Sequence, residues 1–310
     1  MSGKDVTEVV LADAAGIARA ARCLESGGLV AVPTETVYGL AARADKAEAV
    51  AKIYAAKGRP DFNPLIVHVR GLEQAERYGD FSPTARALAA QYWPGPLTLV
   101  VPRRADAGLA EAVTAGLPTI ALRAPAHPVM QALLDAVDFP IAAPSANRSG
   151  FISPTTPAHV LASLDGRIAM VLDGGACTAG VESTIVAVRA DGSIEELRPG
   201  PLQIAPGRQA DGAAIEAPGQ SASHYAPGKP LRLDAAGAEP GEFMIGFGSI
   251  AGDTTLSASG DLTEAAARLY ACLHEAALAP QPRIAVAQVP DVGVGRAVND
   301  RLRRAAAPAD

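Results

Sequence analysis

Lys57-Gly58-Arg59-Pro60-Asp61-Phe62-Asn63-Pro64 runs directly into Leu65-Ile66-Val67-His68-Val69. The first half places two cations and an amide on a short loop that Gly58 and two prolines hold in shape. The second half is an apolar strand carrying one histidine. Rigid loops at sheet edges are where proteins commonly grip anions. The chain of 310 residues has a net charge of −6, so this basic cluster is not general surface charge. The stretch predicts an α/β sheet with a pocket for a phosphorylated or carboxylated small molecule.

On both sides of this stretch, residues 1–205 alternate short apolar runs with helical patterns. Segments 29–33, 65–69, 97–101, 119–123, 141–143, 168–172 and 183–188 read as strands, and 46–56 as a helix. Ser82-Pro83 and Thr156-Pro157 each join an N-cap residue to a proline at the first helical position, opening two more helices. Strands mixed with helices imply a sheet with helices on its faces. From 206 to 230 glycine and proline crowd together with alanine, serine and glutamine, the texture of a linker. Beyond it, strands at 243–247 and 283–289 flank an amphipathic helix at 263–278, and 295–305 is a basic helix. Residues 231–310 thus read as a small second α/β domain.

A hydrophobic fraction of 49% with 19% charged residues predicts a soluble globular protein rather than a disordered one. The N-terminus lacks the apolar core of a signal peptide, and no apolar run is long enough to span a bilayer. Cys23, Cys177 and Cys272 are far apart, which points to neither a disulfide framework nor a zinc site. A cytoplasmic location is the expectation. The acidic balance argues against a protein whose main task is holding nucleic acid.

In the strand Thr119-Ile120-Ala121-Leu122-Arg123, alternation puts Thr119, Ala121 and Arg123 on one face and the two large apolar residues on the other. Substrate could lie across the first face, and a half-buried strand with Arg123 reaching solvent accounts for the segment equally well. Three polar loops at strand ends, 33–39, 144–150 and 180–184, together predict a cleft along the sheet. No phosphate loop of the GxxxxGK[ST] type, no GxSxG elbow and no metal-ligand spacing is present. His127, His159 and His274 read as structural or exposed rather than catalytic. Lys4, Arg301, Arg303 and Arg304 read as solvated charges.

Pro33-Thr34-Glu35-Thr36-Val37-Tyr38-Gly39-Leu40, Lys57-Gly58-Arg59-Pro60 with Asn63-Pro64-Leu65, Trp93-Pro94-Gly95-Pro96-Leu97-Thr98, Ala124-Pro125, Pro144-Ser145-Ala146-Asn147, and Glu182-Ser183-Thr184 followed by Leu197-Arg198-Pro199-Gly200 together resemble the Sua5/YciO/YrdC family. The linker and second domain resemble its longer Sua5 branch. The resemblance implies a twisted mixed sheet with flanking helices (residues 1–205), a lid in the linker (206–230) and a Rossmann-like C-terminal domain (231–310). It further implies synthesis of L-threonylcarbamoyladenylate from L-threonine, bicarbonate and ATP, with release of pyrophosphate. Downstream, a tRNA threonylcarbamoyl-transferase complex would use the product to modify tRNA. At the level of the family, the resemblance also implies a weak contact with tRNA or other double-stranded RNA.

Carried over motif by motif, Thr36, His68, Arg123 and Ser183 would hold threonine, with Arg123 on its carboxylate. Lys57 and Arg59 would be catalytic. Arg59, Asn63, Thr119, Ser145, Ser153 and Arg198 would line the ATP and pyrophosphate region. Tyr225, in the branch's His-Tyr-x-Pro motif (His224-Tyr225-Ala226-Pro227), would contact nucleotide. One departure is visible: Pro218-Gly219 leads into Gln220-Ser221-Ala222-Ser223, where the family usually has a basic residue.

The residue inventory matches such chemistry. A carbamate is already an anionic nucleophile, so the enzyme must mainly orient and neutralise two anions. Magnesium would ride largely on phosphate oxygens and water rather than in a carboxylate cage. Two other readings keep the same motifs: an RNA-binding module, and a carbamoyl-adenylating relative serving hydrogenase maturation. Against the first stand the acidity and the 4% aromatic content. Against the second stands the lack of the acylphosphatase and zinc-finger segments those relatives carry.

Overall fold

The computed structural model describes residues 6–204, 208–209, 215–219 and 224–307. Strand β1 (Glu8–Leu11) leads to helix α1 (Ala14–Glu25), strands β2 (Val30–Val32) and β3 (Gly39–Arg43), and helix α2 (Ala47–Lys57). Strand β4 (Ile66–His68), helices α3 (Leu72–Ala75) and α4 (Pro83–Tyr92), and strands β5 (Leu97–Pro102) and β6 (Thr119–Arg123) follow. Helix α5 (Pro128–Asp135), strand β7 (Ile141–Ala142), helix α6 (Pro157–Leu164) and strands β8 (Met170–Asp173), β9 (Thr184–Val188), β10 (Ile194–Arg198) and β11 (Arg208–Gln209) complete the larger sheet. The cap-then-proline signatures act as their chemistry predicts. Ser82 Oγ accepts the Ala85 amide and Thr156 Oγ1 the His159 amide, satisfying donors left over at each helix start.

Among the described residues the larger sheet has eleven strands in the order β1-β8-β2-β3-β7-β4-β6-β5-β9-β10-β11. It is mixed: β4 and β6 run parallel, while β5 and β6 run antiparallel. The alternation along β6 is as expected. Ile120 and Leu122 enter the main core, and Ala121 packs on the other face with Ile66, Val100, Ile185, Ala187 and Leu197. Arg123 shares the Ala121 face and is buried, so the solvent-reaching alternative does not hold. The parallel register pairs His68 with Arg123, which places the two side by side at the carboxyl ends of β4 and β6.

Strands β12 (Leu231–Arg232), β13 (Glu242–Gly246), β14 (Thr254–Thr255) and β15 (Arg283–Val286) form a second, all-parallel sheet in the order β12-β15-β13-β14. Helices α7 (Leu262–Leu278) and α8 (Gly295–Ala306) pack on it. Its apolar core is not self-contained: Val37, Ile152, Val181 and Tyr225, all outside this sheet unit, are part of it. Parallel strands are buried on both faces, which explains why β13 and β15 read as continuous apolar runs.

One expectation is corrected here. Arg301 is not solvated: it is 0% exposed, with Nε 2.9 Å from Glu182 Oε2 and Nη1 2.7 Å from Asp300 Oδ2. On α8 it falls in line with Val298, Leu302 and Ala305, the i, i+3, i+4, i+7 stripe that faces the protein. Arg304 is also paired, with Asp300, and only Arg303 of this trio is exposed. Lys4 lies outside the described residues, as do positions 205–207, 210–214 and 220–223 of the linker.

Candidate active site

The three polar loops singled out in the sequence meet. One cavity is lined by Thr34, Thr36 and Val37, by Pro144 and Ser145, and by Glu182 and Ser183. Arg59, His68, Arg123 and Arg198 complete its wall, and Gly219, His224 and Tyr225 cover it. Strand ends bring these groups together: β4 supplies His68, β6 Arg123, β10 Arg198, and the turn into β9 supplies Ser183.

Arg123 is the hub of one corner of the cavity. Its Nη1 donates to Thr36 Oγ1 at 2.9 Å and its Nε to the Gly95 carbonyl at 3.3 Å. Its Nη2 lies 2.7 Å from Glu35 Oε1, off the line a hydrogen bond requires. Burial would raise the Glu35 carboxyl, and Arg123 holds it below its ordinary range. His68 is 2% exposed, and its Nδ1 has no partner. Burial, with Arg123 alongside, pushes its pKa down to about 3, so the ring is neutral at physiological pH.

Next to this corner, Arg198 donates through Nε and Nη2 to the Ser183 carbonyl at 3.1 and 3.0 Å, and through Nη1 to the Pro218 carbonyl at 3.2 Å. Ser183 Oγ lies 2.7 Å from Thr98 Oγ1 and accepts from Arg198 Nη2 at 3.1 Å. Arg59 donates to the carbonyls of Asn63 and Pro64 at 3.2 and 2.8 Å, and burial lowers it to about 10. Lys57 is the last residue of α2, where Gly58 turns the chain with φ +59°. Its ammonium donates to the carbonyls of Ser145 at 2.6 Å and Asn147 at 2.5 Å, and burial, then Arg59, pushes its pKa well down. These cations are therefore held by neutral carbonyls. A phosphate or carboxylate adds a charge–charge attraction that a neutral carbonyl lacks, so this wall favours an anionic ligand.

Eight of the residues proposed from sequence line this cavity: Thr36, Arg59, His68, Arg123, Ser145, Ser183, Arg198 and Tyr225. Four do not. Lys57 and Asn63 are buried behind it, Lys57 reaching it through the Ser145 carbonyl. Ser153 is buried with its hydroxyl 2.6 Å from Glu182 Oε1. Thr119 sits at the far end of β6, four residues from Arg123, or about 13 Å along an extended strand. Sequence reasoning gave no role to Glu35, Thr98, Glu182, Tyr270 or Arg301. Glu35 and Glu182 stand inside quoted motifs, which was the one available signal for them.

His224-Tyr225 closes the cavity. Tyr225 is 1% exposed and adopts φ +64°, and the next amide, Ala226, donates to the Gly150 carbonyl at 2.8 Å. Burial pushes the Tyr225 phenol up to about 12. The open volume is about 50 Å³, against roughly 300 Å³ or more for pockets that enclose small organic ligands.

A family profile described as telomere recombination (Sua5/YciO/YrdC) matches residues 22–200. A second, described as the threonylcarbamoyl-AMP synthase C-terminal domain, matches 191–307. Among curated proteins, the threonylcarbamoyl-AMP synthase of Bacillus subtilis is 40% identical, with 97% of this chain and 96% of that one covered. The Pyrococcus abyssi protein of the same name is 38% identical over 92% of each chain. The crystal structure of P. abyssi Sua5 complexed with L-threonine superposes with a TM-score of 0.88 at 35% identity, covering 97% of both chains. Escherichia coli YciO, at 20% identity and a TM-score of 0.56, shares the fold over 66% of this chain and 99% of its own. With both profiles matched in order along a chain whose motif loops converge on one cavity, the protein belongs to the Sua5/YciO/YrdC family, in its two-domain Sua5 branch.

Proposed function

We propose that the protein synthesises L-threonylcarbamoyladenylate from L-threonine, bicarbonate and ATP and releases pyrophosphate. The observation that carries this reading is the convergence of Arg123, Thr36, neutral His68 and Ser183 at one end of a cavity that has Arg59 and Arg198 in its wall. This is an amino-acid-sized polar corner beside a cationic one, in a chain 35% identical to a relative crystallised with L-threonine.

Arg123 takes the threonine carboxylate, exchanging part of its contact with Glu35, and Thr36 and Ser183 offer hydroxyls to the threonine side chain. The neutral amine and bicarbonate condense to a carbamate with loss of water. A carbamate oxygen then attacks the α-phosphorus of ATP, and the bond from that phosphorus to the bridging oxygen breaks as pyrophosphate leaves. Negative charge grows on the α-phosphate oxygens during this step, and preorganised cations stabilise it most where water is excluded. Lys57, Arg59 and Arg198, with Tyr225 above them, suit that task. Asn63, Ser145 and Ser153 support the same wall, and Thr119 lies too far along β6 for direct contact in this arrangement.

Magnesium, when bound, would be held largely by the ATP phosphates and would help neutralise their charge. Glu182, the carboxylate that lines the cavity, is already engaged by Arg301 and by the Ser153 and Tyr270 hydroxyls, so it offers no ready metal ligand. The product then passes to a tRNA threonylcarbamoyl-transferase complex, with a weak contact to tRNA or other double-stranded RNA, in the cytoplasm. Among the described residues no helix is long and apolar enough to cross a membrane.

The deciding experiment measures pyrophosphate release by the purified protein with ATP, magnesium, bicarbonate and each amino acid in turn. Release that depends on both threonine and bicarbonate is expected. Release indifferent to threonine, with ATP still bound, would move the acceptor to another carbamate or carboxylate. Absence of ATP binding would overturn the enzymatic reading.

A further inference from the structure

Glu182 joins the cavity to the smaller domain. It lines the cavity, precedes Ser183, and has both carboxylate oxygens occupied. Oε1 accepts from Ser153 Oγ at 2.6 Å and from the Tyr270 hydroxyl at 3.0 Å. Oε2 accepts from the same hydroxyl at 2.8 Å and from Arg301 Nε at 2.9 Å. Tyr270 belongs to α7 and Arg301 to α8, and both are 0% exposed. Burial would raise the Glu182 carboxyl, yet Arg301 and Arg198, with the Ser153 and Tyr270 hydroxyls, hold it down to about 2.

The rest of the loop is fastened to the same helices. Gly180, at φ +71°, approaches α7 so closely that a Cβ would stand 2.3 Å from the Ala266 carbonyl oxygen. Val181 is fully buried in the core of the smaller domain. The Arg301 guanidinium also lies over the Tyr225 ring, 5.6 Å from its centroid. One arginine on the last helix thus touches both the loop that presents Ser183 and the residue that covers the cavity. Affinity between the domains does not require this arrangement, because a buried ion pair is often no more stabilising than apolar residues of the same volume. What a saturated carboxylate adds is a fixed position.

We infer that Arg301 and Tyr270 are positioning residues of the reaction: through Glu182 and Tyr225 they fix the Ser183 loop and the cavity cover, so the smaller domain forms a working wall of the active site. The inference rests on the synthase reading of the cavity. It also makes a structural claim, that α7 and α8 hold the loop, which can be measured without turnover.

The test compares full-length Tyr270→Phe, Arg301→Lys and Arg301→Leu with the unmodified protein. Tyr270→Phe removes one hydroxyl and leaves no buried charge unpaired. Arg301→Lys keeps the charge but not the planar fork. A hydrogen bond to a charged group is worth about ten- to a hundred-fold, so Tyr270→Phe is expected to lower kcat for pyrophosphate release by about ten-fold and Arg301→Leu by about a hundred-fold. Arg301→Lys should fall between, and the apparent constant for ATP should move less than kcat in all three. In parallel, hydrogen exchange is followed at the Thr184 amide, bonded to the Pro96 carbonyl, and at the Ala226 amide, bonded to the Gly150 carbonyl. Both should exchange faster in the variants, while β13 and β15 keep their protection.

Unmodified kcat in Tyr270→Phe together with unchanged exchange at Thr184 and Ala226 would overturn the inference. So would a uniform loss of protection through β13 and β15 with no rescue by lysine, which marks a merely structural role. If Arg301→Leu does not fold, Tyr270→Phe and Arg301→Lys decide the matter. If the unmodified protein releases no pyrophosphate, the synthase reading fails by itself, and the exchange measurement still decides whether α7 and α8 hold the loop.

Discussion

His159 on α6 and His274 on α7 stack face to face, with ring centroids 3.9 Å apart and planes 17° from parallel. The pair spans the seam between the two sheets. His274 Nε2 lies 3.2 Å from the Ser153 carbonyl, and His159 Nδ1 lies 3.3 Å from Thr155 Oγ1. Burial, and then its neighbour, lowers His274 to about 4, and burial lowers His159 as well.

A pH dependence follows from this stack. Both rings are neutral in the folded protein, whereas in the unfolded chain they take up protons below about pH 6.5. Between about pH 6.5 and 4 the unfolded state therefore binds more protons, and stability falls as pH falls through that window. His68 and His224, each lowered to about 3 mainly by burial, extend the loss in the same direction. Glu182 adds its own loss only below the ordinary glutamate range, since its folded pKa is about 2. Melting temperatures taken from pH 7.5 to 4.5 should decline below 6.5, with a shallower decline in a His159→Phe/His274→Phe double variant. A flat profile would show that the rings are not held neutral.

Lys57→Ala and Arg59→Ala should lower turnover more than they raise the apparent substrate constants, because their charges matter most as the transition state forms. Removing one preorganised donor of this kind costs about a hundred- to a thousand-fold in kcat. Normal turnover in both purified variants would refute their assignment as catalytic groups.

Arg123→Lys tests the threonine corner while preserving the charge opposite Glu35. A lysine cannot reach Thr36, Gly95 and a substrate carboxylate together as the guanidinium fork does. Threonine affinity should drop by about ten- to a hundred-fold, the value of a hydrogen bond to a charged group. ATP binding should be preserved. Calorimetric titration with each ligand separates the two, and an unchanged threonine affinity would remove Arg123 from the role.

The sequence made most of this frame readable, and the reasons differ by region. Ser82-Pro83 and Thr156-Pro157 announce their helices through local chemistry, and β6 declares its two faces by alternation. The three polar loops at strand ends predicted their own meeting place, and they do meet. Arg301 escaped because its partner Glu182 is 119 positions away and four cations in eleven residues look like a solvated face. Its place on the Val298-Leu302-Ala305 stripe was the signal against that reading. Glu35 was hidden for a different reason: only the fold brings β6 and the 33–39 loop together, and no spacing in the chain encodes that contact.

Gly180 and Gly58 offer a paired test of where backbone freedom matters. Both have positive φ, and a side chain at either costs about 1–2 kcal/mol for the left-handed conformation alone. Nothing lies within 4 Å of a Cβ built at Gly58, whereas at Gly180 it would collide with the α7 backbone. Gly180→Ala should therefore lower the melting temperature well beyond Gly58→Ala. Equal losses would mean that the loop is not pressed against α7.

The 50 Å³ cavity beneath Tyr225 also acts as a clock. If Tyr225 must lift for substrates to enter and product to leave, every turnover contains at least one opening, whose rate is an upper bound on kcat. Until that opening, an anhydride formed inside would be shielded from bulk water. A product that hydrolyses readily in solution would thus have a lifetime set by the protein rather than by its own reactivity, and delivery would begin only when Tyr225 lifts.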